Sequence, residues 1–128
     1  MRCFVTGCAG FIGSNLVDRL LQDGHEVIGY DNFSTSQPEF LAGAARSPMF
    51  TMVEGDTTDL DQMTSAMNGV ELVFHLAANA DVRFGTAHPR KDLEQNTVAT
   101  SNVLEAMRSI SPIGPARLKS YLPDLPST

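Results

Sequence analysis

Between residues 6 and 13 the chain reads Thr6-Gly7-Cys8-Ala9-Gly10-Phe11-Ile12-Gly13, with glycines three residues apart. An apolar run, Cys3-Phe4-Val5, precedes this loop, and Ile12, Leu16, Val17, Leu20 and Leu21 recur after it at helical spacing. Apolar residues that take up a 3.6-residue period across a glycine turn predict a strand, a tight loop and an amphipathic helix. Asp23-Gly24 ends the helix, because glycine adopts the positive φ of a C-terminal cap at little cost. His25 to Tyr30 then reads as a second strand, which completes one β-α-β unit.

The same alternation continues. Phe50-Thr51-Met52-Val53 predicts a third strand, and Leu60, Met63 and Met67 mark a short helix capped near Thr58 or Asp59 and ended by Asn68-Gly69. Val70 to Leu76 predicts a fourth strand. Its consecutive apolar residues Leu72-Val73-Phe74 suit a parallel strand covered on both faces. A long helix is expected after Pro89, with Leu93, Thr97, Thr100, Leu104 and Met107 on one face and Val103 and Ala106 beside them. Strands alternating with helices define an α/β class, here a Rossmann-type parallel sheet truncated to about four strands in the order 3-2-1-4. After Ser109 the pattern stops: prolines at 112, 115, 123 and 126 exclude a regular helix and disfavour an interior strand. The expected organisation is a half-domain over 1–109 and a proline-rich extended tail over 110–128.

A chain of 128 residues holds one domain of this kind. Nine Lys and Arg against fifteen Asp and Glu give a formal charge of -6, which disfavours nucleic acid and anionic membranes as partners. No stretch approaches the roughly 20 apolar residues of a membrane helix. Cys3 and Cys8 form neither a disulfide framework nor a Cys-x-x-Cys pair and read as small buried residues of a cytoplasmic protein. No His, Asp and Glu cluster has metal-ligand spacing, so no metal is expected.

The glycine loop carries the chemistry. Small residues let the backbone approach a pyrophosphate, whose charge is held by free N–H groups and the positive end of the helix. Gly7, Gly10, Phe11, Ile12 and Gly13 are the expected cradle; the alternative is a turn that only packs strand on helix. Asp31, at the end of the second strand, is placed to accept from a ribose 2′-hydroxyl. Such a charged hydrogen bond contributes about 1.5–3 kcal/mol, and the same carboxylate repels a 2′-phosphate, so NAD is expected over NADP. Asp31 with Asn32 is also the start of an ordinary Asx turn. Asp56 has two roles open to it, an adenine contact or a turn into the helix at Thr57-Thr58-Asp59. His75 lies in an apolar strand and reads as a hydrogen-bonded core residue, while His25 and His88 read as surface or turn residues.

Thr6 to Gly13, Asp31-Asn32-Phe33-Ser34-Thr35, Gly55-Asp56, His75-Leu76-Ala77-Ala78 and Asn96-Thr97-Val98-Ala99-Thr100-Ser101-Asn102 together resemble one family over about residues 1–109. It is the extended short-chain dehydrogenases, in particular the NAD-dependent nucleotide-sugar epimerases and dehydratases. The resemblance implies NAD as cofactor, with Ser34 and Thr35 beside Asp31 and Asn32 on the adenosine ribose. Asp56 and Thr57 would lie on the adenine side, and Leu76, Ala77, Ala78 and Ala80 toward the nicotinamide ribose, with Asn96 completing the set. Ala99 and Ser36 stand where the family commonly has glycine.

The family's chemistry uses a Tyr-x-x-x-Lys pair. Here Tyr30 is followed four residues later by Ser34 and Tyr121 by Leu125, so the pair is not present and no catalytic residue is assigned. The expectation is a truncated or frame-shifted cofactor-binding portion, inactive alone, that meets a nucleotide sugar only if another chain completes it. The alternative is a non-catalytic dinucleotide-binding or interaction module acting through a partner. The strand edge left open is expected to recruit a second copy as a homodimer.

Overall fold

The computed structural model describes residues 1–78 and 86–110. Four parallel strands, β1 (Arg2–Thr6), β2 (Glu26–Asp31), β3 (Phe50–Glu54) and β4 (Leu72–His75), form one sheet in the order β3-β2-β1-β4. β1 is central: Cys3 lies opposite Val27 on one side and Leu72 on the other. The predicted strand order is the observed one.

Chain direction explains which face each connection covers. A right-handed crossover puts its helix on one face when the chain steps one way along the sheet and on the other when it steps back. Helix α1 (Phe11–Gln22) joins β1 to β2, and two single 3-10 turns at Pro38–Leu41 and Ala44–Arg46 lie on the way to β3. Both connections step in one direction, and both cover the face bearing Cys3, Val5 and Val27, with Val17, Leu20, Leu41 and Ala44 buried there. Helix α2 (Leu60–Ala66) carries the chain back past β1 to β4 and packs on the opposite face. There Phe4, Ile28 and Tyr30 meet Met63 and Met67 of the α2 region, and the Phe4 and Tyr30 rings stand 5.5 Å apart. Asp59 caps α2, its carboxylate accepting the Gln62 N–H at 3.1 Å, and Gly69 turns the chain at φ 75°.

The last helical segment comprises α3 (Pro89–Leu93), a π-helical turn at Glu94–Val98 and α4 (Ala99–Ile110). Ala99, Val103, Ala106 and Met107 are its buried residues. The expected face is therefore corrected: Leu93 and Leu104 are 51% and 46% exposed, and Thr97 is exposed as well. The π turn holds an extra residue, so the stripe before it is rotated relative to the stripe after it. Two further expectations are corrected. Ile12 is 61% exposed, because Gly13 and Ser14 are the residues of that turn which face inward. Strand β4 is shorter than Val70–Leu76, since Val70 N–H is bonded to Met67 O in the turn, and Leu76 N–H donates to Thr6 as the chain leaves the sheet. Both cysteines are fully buried thiols, as expected. No helix among the described residues is long and apolar enough to cross a membrane. Of the expected tail over 110–128, Ile110 is instead the last residue of α4, and 111–128 lie outside the described residues.

Phe4 is fully buried at the centre of the core. Phe4→Ala is expected to lower stability by about 3–5 kcal/mol, the usual cost of emptying an aromatic site. Urea unfolding followed by circular dichroism checks this.

Candidate functional site

The carboxyl ends of β1 and β4 part where the chain reverses its direction along the sheet, and such a point leaves a crevice. Gly7 opens the loop there at φ 68°, its N–H bonded to Tyr30 O at 2.9 Å. A Cβ on Gly7 would sit 2.8 Å from Ala77 N and 2.9 Å from the Leu76 carbonyl carbon. A Cβ on Gly13 would strike the Gly7 carbonyl oxygen. Glycine is thus required at both positions by contact with backbone, which cannot move aside. Gly10 is the N-cap of α1 and its carbonyl accepts from Ser14 N–H at 2.9 Å, the first bond of the helix ladder. The N–H groups of Phe11, Ile12 and Gly13 precede that ladder. No side chain caps them and no acid lies in the first turn, so the positive helix end is left for an anion.

Asp31 ties this loop to the next one. Its Oδ2 accepts from Ala9 N–H at 3.0 Å, and its Oδ1 accepts from Phe33 N–H at 2.9 Å and from Ser36 Oγ at 3.1 Å. The bond to Phe33 is the Asx turn, and it holds Phe33 at φ 58°. A carboxylate has about four acceptor positions, so three are filled and one remains on Oδ2. Cys8, beside Asp31, is pushed up to about 12 by burial and then by that negative charge, which keeps it an unreactive thiol.

Asp56 is committed to its turn. Thr58 donates to Asp56 Oδ1 from its N–H at 2.9 Å and from its hydroxyl at 2.8 Å, and the Asn32 side chain donates as well. These bonds, the Thr58 N–H foremost, hold the carboxyl below its usual range against the opposing effect of burial. The Tyr30 hydroxyl donates to Asp56 O at 2.7 Å. Burial, then the charges of Asp59 and Asp56, push Tyr30 up to about 12, so it stays protonated at neutral pH.

Hydrogen-bond counting fixes the state of His75. Thr6 Oγ1 accepts from Leu76 N–H at 3.0 Å and Ala77 N–H at 3.2 Å, which uses its two lone pairs. Its own proton then goes to His75 Nδ1 at 2.7 Å, so Nδ1 is an acceptor and Nε2 carries the hydrogen. Nε2–H donates to Thr100 Oγ1 at 3.2 Å, and Thr100 donates to Asn96 O at 2.6 Å. Burial lowers the His75 pKa. His75 is the hydrogen-bonded core residue that the apolar strand predicts.

The resulting cleft has a volume of about 980 Å³ and includes Gly7, Gly10, Asp31, Asn32, Ser34, Thr35, Asp56, Thr57, Leu76, Ala77 and Ala78 in its lining. Of the remaining expected residues, Phe11 and Ile12 project outward from the first turn of α1, and Gly13 is buried behind Gly7. Asn96 stands on the π turn outside the lining, its amide donating to Asp92 Oδ1 at 3.0 Å. Ala80 lies outside the described residues. Lys91, Glu94 and Gln95 also line the cleft and were not expected there. Local spacing could not place them, because their approach depends on how the α3 region meets the sheet.

A 3-2-1-4 parallel sheet with a glycine loop at its switch point and an acid ending β2 defines a Rossmann-type α/β half-domain. The model of the NAD dependent epimerase/dehydratase family matches residues 3–118, and the chain belongs to that family. It is 44% identical over 110 residues to a UDP-glucose 4-epimerase of Mycolicibacterium smegmatis, which covers 84% of this chain and 35% of that protein. Among solved structures it is similar to a Thermus thermophilus UDP-glucose 4-epimerase in complex with NAD (TM-score 0.76, 35% identity, 86% of this chain and 34% of that one). It is also similar to a dTDP-glucose 4,6-dehydratase of Streptomyces venezuelae with NAD bound (TM-score 0.81, 31% identity, 86% and 36%). The chain spans about a third of the length of these relatives.

His75 generates a pH prediction. Its folded-state pKa lies below its unfolded one, so the unfolded chain binds the extra proton first. The stability that depends on neutral His75 is full above the unfolded value and is lost as pH falls through the folded one. Thermal melts from pH 7.5 down to 5 should show a falling Tm, with a shallower fall in His75→Gln.

Proposed function

We propose that this chain is the NAD-binding portion of a nucleotide-sugar epimerase or dehydratase and does not turn over substrate by itself. The observation that carries this reading is the bond from Ala9 N–H to Asp31 Oδ2, 3.0 Å long, which sets the acid at the end of β2 against the glycine loop. Gly7, Gly10, Phe11, Ile12 and Gly13 then hold the pyrophosphate through backbone N–H groups and the helix dipole. The acceptor position left on Asp31 takes a ribose hydroxyl, beside Asn32, Ser34 and Thr35. Asp56 and Thr57 flank the adenine side, and Leu76, Ala77, Ala78, Ala80 and Asn96 the rest of the cofactor. When bound, NAD supplies a hydride acceptor. The tyrosine and lysine that would complete the chemistry are not paired in this sequence, so a nucleotide sugar is met only with residues from beyond it.

On this reading residues 1–109 are the cofactor-binding unit and 110–128 a proline-rich extension, although the family match runs past that boundary to residue 118. The compartment is the cytoplasm, in keeping with two buried free thiols.

Two measurements test the proposal. Calorimetric titration should give saturable NAD binding, weaker binding of NADP, and a loss of about tenfold or more in NAD affinity for Asp31→Ala, the worth of one charged hydrogen bond. Equal binding of NAD and NADP, or none of either, overturns it. β4 is an edge strand among the described residues, and its own Leu72 and Phe74 are only half-buried. Light scattering is accordingly expected to show a homodimer at high concentration, and a monomer throughout would refute that assembly.

A further inference from the structure

Among the described residues, the charged groups lining the cleft are Asp31, Asp56, Glu94 and Lys91. Each carboxylate is already engaged. Asp31 accepts three donors, Asp56 accepts from Thr58 and Asn32, and Glu94 Oε1 pairs with Arg90 Nε at 3.3 Å. Lys91 differs, because it lines the cleft and forms no ion pair with any described residue. Its neighbour Arg90 is spent on Glu94, one helical turn away.

We propose that Lys91 is a phosphate-binding residue of this cleft, its ammonium supplying the counter-charge to the pyrophosphate of the nucleotide held there. The inference rests on the reading of the cleft as a nucleotide site and deepens it. The need for such a charge follows from the balance of the walls. A pyrophosphate brings two negative charges into a crevice with three carboxylates among its described lining residues, on a chain of formal charge -6. Backbone N–H groups and a helix end offset part of this repulsion, but they carry only partial charge. A Lys side chain adds a full positive charge on a long flexible stem, with three donors that need no fixed geometry. Lys91 stands next to the π turn that brings Glu94 and Gln95 to the cleft, so the same helical segment presents the cation and two polar neighbours.

The test separates phosphate from the rest of the nucleotide. NAD, ADP and adenosine are titrated into the isotopically labelled chain, and into Lys91→Met and Lys91→Arg, with affinities read from NMR chemical shifts. Lys91→Met is expected to weaken NAD and ADP about three- to tenfold, as a partly exposed charge contact does, and to leave adenosine unchanged. Lys91→Arg should restore most of the loss. NAD affinity of the wild-type chain should also fall more steeply with added salt than that of Lys91→Met. Equal weakening of adenosine would overturn the proposal by assigning Lys91 to packing against the base, and unchanged NAD and ADP binding would overturn it outright. A wild-type chain that binds none of the three refutes the nucleotide site itself, and the role of Lys91 with it.

Discussion

Backbone contact at the carboxyl end of the sheet is the constraint on which the rest depends. β1, β2 and β4 end at nearly the same level, and the loop after β1 must pass between the ends of its two neighbours. Gly7 does so with no room for a Cβ beside Ala77, and α1 starts so close behind it that Gly13 has none either. This packing pins the first turn of α1 over the crevice. Asp31 then locks the arrangement from the β2 side through Ala9. The features that would bind an anion are therefore consequences of how three strand ends are joined.

A second link joins the opposite wall. The Thr6 hydroxyl accepts from the backbone at the end of β4 and donates to His75, which donates to Thr100 on α4. Each member gives its one hydrogen and has a defined acceptor, so the chain of bonds has a single direction. It connects the glycine loop, β4 and the helical segment that carries Lys91. In a buried setting such a network is rigid while complete and costly when one donor is lost. Neutral His75 is what completes it.

Long-range order of this kind was legible in the sequence to different degrees. The strands, the two glycine-terminated helices and the sheet order follow from local pattern plus the handedness of crossovers, because each element carries its own periodicity. The cap of α2 was legible to within Thr58 or Asp59, because capping is a local event, and the structure selects Asp59. The π turn was not legible: the apolar stripe read at α-helical spacing over 89–110 holds for Val103, Ala106 and Met107 after the turn, but not for Leu104 or for Leu93 and Thr97 before it. Ile12 misled for a similar reason. A helix that starts over a glycine loop packs its small residues inward and turns its large ones out, contrary to the usual rule. The 3-10 turns at Pro38–Leu41 and Ala44–Arg46 send Leu41 and Ala44 into the core from a stretch with no periodicity to read.

The two faces of the sheet are covered unequally, and topology explains why. On one side α2 and α4 pack against each other across β1 and β4, and Met63 and Met67 lose all contact with water. On the other, α1 and two short turns cover β1 and β2, while Leu72, Phe74 and Leu76 at the β4 end stay only partly buried. A further right-handed crossover beyond β4 would step away from β1 and lay cover on one of these faces while pairing the open edge. By the handedness that sets α2, such a crossover would lay its helix on the α2 face, where α4 already packs, so the half-buried Leu72, Phe74 and Leu76 on the α1 face would gain a paired edge but no cover from it. Partial burial leaves part of their hydrophobic free energy unrealised, at roughly 25 cal/mol for each Å² still wet. The crevice at the switch point sits at the junction of the well-covered and poorly covered regions, so a strand paired to the open edge of β4 would also stiffen one wall of it.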